Sequence, residues 1–382
     1  MAEICATGST ADYQSYIPRR FSTPSTPTST TPSASSTPAP SPTQASTPPN
    51  LQMSQKAPAP GTPMAHNPEP TTTVEGSDTN LPTTPNASPS FTKISSLIAK
   101  ENTILFSTSG RLARYVQGRI RQCLLSGNGC YLLIKGVSPD KMELIDRALE
   151  RLQIARQARC TYDALLRCLI IRLMPNAPHQ NTGGGFFFKI QSKVAALPGH
   201  SDLSYFTVGS TRFPGKPKGK EGDQGLKPSS RRNANDWPSL MVEVGDSQTL
   251  KLLQADAEWW LLESSRQTKM VIIINIEKHP HSIRIECWEM IPDPNKRGTR
   301  TRTPKIPGFI QFFDIDNSGD ITHDPKFYDL TISYDHIFDD HSLIPKAASA
   351  PKGASAPKAP PDIIILHDEL SAWALHMYSG FD

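Results

Sequence analysis

The chain has 382 residues, 36 of them proline, with 37% hydrophobic residues and a formal net charge of +4. A chain of this length has room for two domains, but the proline load leaves less of it for core than the length suggests. So mild a charge does not by itself call for a nucleic-acid partner, and no apolar run approaches the ~18 residues needed to span a bilayer.

Residues 22–90 are mostly Ser, Thr, Pro and Ala, with Leu51, Met53, Met64, Val74 and Leu81 the only large apolar side chains. Such a stretch cannot bury enough surface to offset its ordering entropy, so a disordered leader is expected over 1–91. The first twenty residues lack the apolar stretch of a signal peptide, which predicts an intracellular protein, cytoplasmic or nuclear and not secreted. Cys5, Cys123, Cys130, Cys160, Cys168 and Cys287 are scattered without CxxC spacing, so neither a zinc site nor a disulfide framework is indicated.

From about residue 92 the composition becomes globular. Residues 110–126 place apolar positions at helical spacing, with Arg111, Arg114, Arg119 and Arg121 between them. Residues 131–134 read as a short strand. Ser138-Pro139 then starts a helix, the hydroxyl capping orphan amides and Pro at the first helical position, expected to run to about 158. These elements make a helical and mixed entry module, 92–158. Residues 162–174 read as a strand stopped by Pro175, residues 183–197 as a helix with Phe186, Phe187, Ile190, Val194 and Leu197 facing a core, and residues 205–213 as a strand. A Gly/Lys loop with Lys216, Lys218 and Lys220 follows, then Arg231 and Arg232. Lys296, Arg297, Arg300, Arg302 and Lys305 fill another loop. Loops so charged either contact phosphates or are simply solvated.

The centre of the chain holds a carboxylate inside an apolar strand, Glu243 in Leu240-Met241-Val242-Glu243-Val244. An ionised carboxylate there is costly unless it is paired or holds a metal. Gly245 ends the strand, Asp246 or Ser247 can cap a helix, and residues 270–276 read as a second buried strand. Strand, helix and strand in that order predict a parallel βαβ unit, with functional groups at the carboxyl ends of its strands. Trp259 and Trp260 on the helix read as core packing rather than base stacking.

Residues 282–290 alternate Ile283, Ile285 and Cys287 against Arg284, Glu286 and Trp288, as a half-exposed strand would. Residues 309–313 and 327–334 are expected to form a hairpin. Between them, residues 314–322 satisfy nine places of a calcium loop, but position twelve is Pro325 where a bidentate Glu is needed. A hairpin turn is therefore expected there and no Ca²⁺. Residues 343–361 form an Ala/Pro/Lys spacer, and 362–382 supply a last strand and helix docking on the core.

The succession MPNAPHQ, EGDQGLKP, WPSLMVEVGDSQTLKLLQADAEWWL and IECWEM resembles a group of uncharacterised fungal proteins that are in turn similar to the PD-(D/E)XK nuclease superfamily, particularly its restriction-endonuclease-like members with a PDLVVEV-type strand. The resemblance covers roughly residues 159–382. It implies an α/β or α+β fold with a restriction-endonuclease-like mixed central sheet flanked by helices, and a nuclease-like core over 159–342. It further implies hydrolysis of DNA with Mg²⁺ held by Asp223 and Glu243, carboxylates that such a fold brings to one sheet edge. The sequence departs from the pattern at Gly245, where a lysine is expected two residues after the Glu. Lys251 on the next helix is the nearest substitute. Gln180 falls where relatives often carry a Glu, His179 beside it is an active-site or core-edge histidine, and Asp256 is an accessory partner. These departures support a second expectation, a catalytically degenerate binding or interaction module without enzymatic activity.

Overall fold

The computed structural model describes residues 88–174, 177–209, 211–215, 218–246, 250–296, 303–341 and 361–380, with backbone alone at 177–180, 214–215, 218 and 246. All of them fall in the unit Ser77–Asp382.

The first part of the chain runs through α1 (Pro89–Leu97), β1 (Thr103–Leu105), α2 (Ser109–Ser126), β2 (Cys130–Lys135), α3 (Met142–Arg151), β3 (Ala158–Asp163) and β4 (Cys168–Leu173). The helix expected to reach 158 stops at Arg151. Gln153 takes φ 58 and Ile154 N donates to Leu149 O, turning the chain so that β3 can begin at Ala158. Residues 162–174 are likewise not one strand. Asp163 Oδ1 accepts from Leu165 N at 2.9 Å and Leu166 N at 3.0 Å, closing a turn that folds β4 back on β3.

The second part contains α4 (Ala177–Ala195), β5 (Tyr205–Val208), β6 (Arg212–Gly215), β7 (Lys218–Glu221), β8 (Gln224–Pro228), β9 (Leu240–Asp246), α5 (Leu250–Glu263), β10 (Met270–Lys278), β11 (His281–Pro292) and β12 (Lys305–Asp316). It ends with β13 (Ile321–His323), β14 (Leu330–Ile332), α6 (Tyr334–Ile337), β15 (Ile363–Ile365) and α7 (His367–Tyr378). The expected 205–213 strand divides, with β5 and β6 entering different sheets, and the Gly/Lys loop turns out to supply β7 and β8. The hairpin partner of β12 is β13, not residues 327–334. Asp316 Oδ1 accepts from Ser318 N at 2.9 Å and Asp320 N at 3.0 Å, and Gly319 supplies φ 86, so the chain reverses at once. β14 pairs instead with β15.

Two mixed sheets result. One has the order β1-β2-β4-β3-β7-β6, the other β13-β12-β11-β10-β9-β8-β5. β9 and β10 are parallel and joined by α5, the βαβ unit that the sequence predicts. Three apolar layers hold the sheets and helices together. Leu112, Val116 and Ile145 of α2 and α3 pack on one face of the first sheet. Its other face, with Tyr131, Leu133 and Ile170, shares a core with α1, α5 and the Met241, Val271 and Ile273 face of the second sheet. Phe186, Ile190, Leu370 and Trp373 of α4 and α7 cover the Val242, Val244, Ile272 and Ile274 face. The fold is thus α/β, with mixed sheets flanked by helices. Helix α5 lies between the two sheets and brings charged residues from both into one place. The expected boundary at 158/159 falls at the first step of β3, within the first sheet.

Candidate functional site

Glu243 is fully buried on β9, and its face of the strand turns toward α5 and the first sheet. Its Oε1 accepts from Trp260 Nε1 of α5 at 2.7 Å and its Oε2 from Arg172 Nη2 of β4 at 2.5 Å. The same Arg172 nitrogen donates to Asp223 Oδ2 at 2.8 Å, and Arg159 Nε lies 3.4 Å from Asp223 Oδ1. Asp223 also accepts from Val244 N at 3.0 Å, which pins the β7–β8 connection to β9. Asp256, two turns into α5, accepts from Tyr131 Oη at 3.0 Å, from Arg172 Nη1 at 3.5 Å and from Lys220 Nζ. Gly222 makes the approach feasible, since a Cβ there would meet Met241 Cε at 2.1 Å and the rigid Trp260 ring at 2.9 Å.

The cations and the carboxylates come from different sheets. Arg159, Arg172 and Lys220 stand on β3, β4 and β7 of the first sheet. Glu243 and Asp256 belong to the βαβ unit of the second, and Asp223 to the connection entering it. Three carboxylates therefore face three cations in a place where Arg172, Lys220, Asp223, Glu243 and Asp256 are all buried. Burial pushes the Glu243 carboxyl up to about 7, against the pull of Arg172 and with a further push from Asp223. Arg172 itself is held charged well above its ordinary value by Asp223 and Glu243, although burial acts against it. These two directions pull apart across one ion pair, because Glu243 shares its guanidinium with two other carboxylates. The guanidinium stays charged, and Glu243 is the partner that takes up a proton. The Tyr131 hydroxyl is raised well above its usual range by burial and by Asp256, so it acts here as a donor.

The Mg²⁺ implied by the resemblance can be tested against this donor set. A dication bound by Asp223 and Glu243 needs carboxylate oxygens that face it with uncompensated charge. Here Arg172 Nη2 bridges the two carboxylates, Trp260 takes the remaining Glu243 oxygen, and Lys220 and Tyr131 occupy Asp256. Among the described residues, no group of three or more His, Cys, Asp or Glu is arranged to hold a metal ion. The residues as arranged do not fit the ion.

Of the other candidates, Lys251 stands exposed on the first turn of α5, and the ammonium inside the cluster is Lys220. Lys220 is thus a buried strand residue and not part of a solvated loop. His179 and Gln180 start α4, but their side chains lie outside the described residues, as do Lys216, Arg297, Arg300 and Arg302. Trp259 and Trp260 are fully buried and pack with Trp237, as core residues do. Glu286 was expected on a half-exposed face, yet it is 1% exposed, because α5 covers that face of β11; it binds Arg284, Gln254 and Trp288. The residue most missed is Arg172. Its signal was present in the sequence, a lone charge inside Leu169-Ile170-Ile171-Arg172-Leu173.

No family model and no curated protein matches this sequence. A solved structure of a candidate nuclease belonging to DUF820, from Anabaena variabilis ATCC 29413, matches with 12% identity over 56% of this chain and 91% of that one, at a TM-score of 0.31. The nuclease likeness is therefore distant, and it locates no residue of the cluster. Among the described residues no helix is long and apolar enough to cross a membrane.

Proposed function

We propose that this chain is a nuclease-like binding or interaction module without phosphodiesterase activity, in which a buried ion cluster stands where a metal centre would be. The observation that carries this reading is Arg172 Nη2, within 2.8 Å of Asp223 Oδ2 and 2.5 Å of Glu243 Oε2. A guanidinium between two carboxylates cancels the charge that would attract a dication and occupies the space the ion would need. Gly245, in place of the lysine expected beside the glutamate, supports the same conclusion.

A second reading, Mg²⁺-dependent hydrolysis of DNA, is favoured by one observation: Asp223 and Glu243 converge on a single nitrogen and are therefore close to one another. It requires Arg172 to withdraw.

The two readings separate on the full-length chain. Incubation with duplex and single-stranded DNA in Mg²⁺ or Mn²⁺ is expected to yield no cleavage beyond an EDTA control. Calorimetric titration should detect no Mn²⁺ site that depends on Asp223. Glu243→Ala should lower stability by about 1–3 kcal/mol, because it removes one of the carboxylates on Arg172 and leaves the buried Trp260 N–H without its acceptor. Metal-dependent cleavage that Glu243→Ala abolishes at an unchanged melting temperature would establish the nuclease reading instead.

A further inference from the structure

The cysteines at 123 and 130 lie seven residues apart in sequence, but the fold brings them together. Cys123 ends the buried face of α2, and Gly127, at φ 74, reverses the chain so that Cys130 opens β2 directly alongside. Their sulfurs are 3.3 Å apart. Arg119, one turn back on α2 and held by Asn102 Oδ1 at 2.7 Å, places Nη2 4.0 Å from Cys130 Sγ. Cys123 is 4% exposed and Cys130 is partly exposed, so only one of the pair can meet a dissolved reagent. Cys160 and Cys287 differ. They are fully enclosed, and burial pushes their thiols far up.

We propose that Cys123 and Cys130 form a two-electron oxidation site that reacts with hydroperoxides and closes to a reversible disulfide. The thiolate is the attacking form of cysteine, and a guanidinium beside it favours that form. Cys130 Sγ attacks the peroxide, an S–O bond forming as the O–O bond breaks. The leaving oxygen takes up one proton from solvent and departs as water from hydrogen peroxide, and Cys130 becomes a sulfenic acid. Cys123 Sγ then attacks Cys130 Sγ. The S–S bond forms, the S–O bond breaks, and hydroxide leaves with the Cys123 proton as water. The peroxide takes both electrons. The sulfurs must close from 3.3 Å to about 2.0 Å, which small side-chain rotations on α2 and β2 can supply. The bond would fasten the end of α2 to β2 one residue from Tyr131, which faces the other way and donates to Asp256.

Trypsin cleaves after Arg121 and Lys135, so both cysteines fall in a single peptide, 122–135. The full-length chain, reduced and then exposed to excess hydrogen peroxide, would be denatured, alkylated and digested. The expected result is a 122–135 peptide two hydrogens lighter and without alkyl groups, which takes two after dithiothreitol, while Cys160 and Cys287 remain alkylated as thiols. Arg119→Gln should slow disulfide formation several-fold, and Cys123→Ser should leave a sulfenic acid on Cys130 that dimedone traps. A 122–135 peptide that still carries two alkyl groups after peroxide, or one in which Cys130 passes to sulfinic acid while Cys123 stays reduced, overturns the proposal in the unmutated chain. An Arg119→Gln rate equal to that of the unmutated chain overturns the part assigned to the guanidinium.

Discussion

At Arg172 one guanidinium serves three carboxylates, and the balance among them depends on pH. Glu243 is pushed up to about 7 from an ordinary value near 4.5, so between those values the folded chain keeps a proton that the unfolded chain has released. Folding stability from this group is therefore highest in acid and declines as pH rises through 7, by an amount on the order of 3 kcal/mol at most. Urea unfolding of the unmutated chain and of Glu243→Gln from pH 4.5 to 8 should show a slope in the first that is flattened in the second. Parallel curves would show that Glu243 does not titrate in this window. Arg172→Met fits the strand sterically but leaves the carboxylates facing one another. A loss of about 3–5 kcal/mol is expected at neutral pH, partly recovered on acidification as the carboxyls take up protons. In physical terms Glu243 and Arg172 carry one signal with opposite signs, a charge inside an apolar strand. Reading each strand locally marks both as needing a partner, but nothing local to either strand names the other.

Element boundaries turned on single side chains that reverse the chain. Asp163 is fully buried, and its Oδ1 holds the two amides of the β3–β4 turn. Asp163→Ala should cost about 1 kcal/mol, since the part-buried Leu165 and Leu166 amides lose their acceptor, and a thermal melt of the variant measures it. Gly222→Ala tests the other close approach, where an added methyl presses on Met241 and Trp260 beside Glu243. Overpacking of this kind is expected to cost about 1–3 kcal/mol, and a variant as stable as the parent would show that the β7–β8 connection can move away. The long periodic segments α2, α4, β9, α5 and β10 were legible because each repeats one pattern over several turns or steps. The 162–174 run was not, since an apolar stretch divided by Asp163-Ala164-Leu165-Leu166-Arg167 keeps the same composition whether it runs straight or folds back.

Across the whole described unit, the ion cluster joins one sheet to the other through α5. If that link is what couples them, native-state hydrogen exchange should report similar protection for β2, β3 and β4 and for β9 and β10. Arg172→Met should then release the first-sheet amides more than those of β9 and β10. Equal acceleration in both sheets would assign the coupling to the shared apolar layer around Trp259 and Trp260 instead. The sequence by itself determined that a βαβ unit lies between Leu240 and Ile276 and that a carboxylate sits inside its first strand, because hydrophobic period and turn chemistry are local properties; the α/β or α+β fold with a mixed sheet came only as what the family resemblance implies. Only the tertiary structure decided what answers that carboxylate. Arg159, Arg172 and Lys220 lie on three strands of the first sheet, between 36 and 97 residues before Asp256 in the chain, and the charges meet only when the two sheets close on α5.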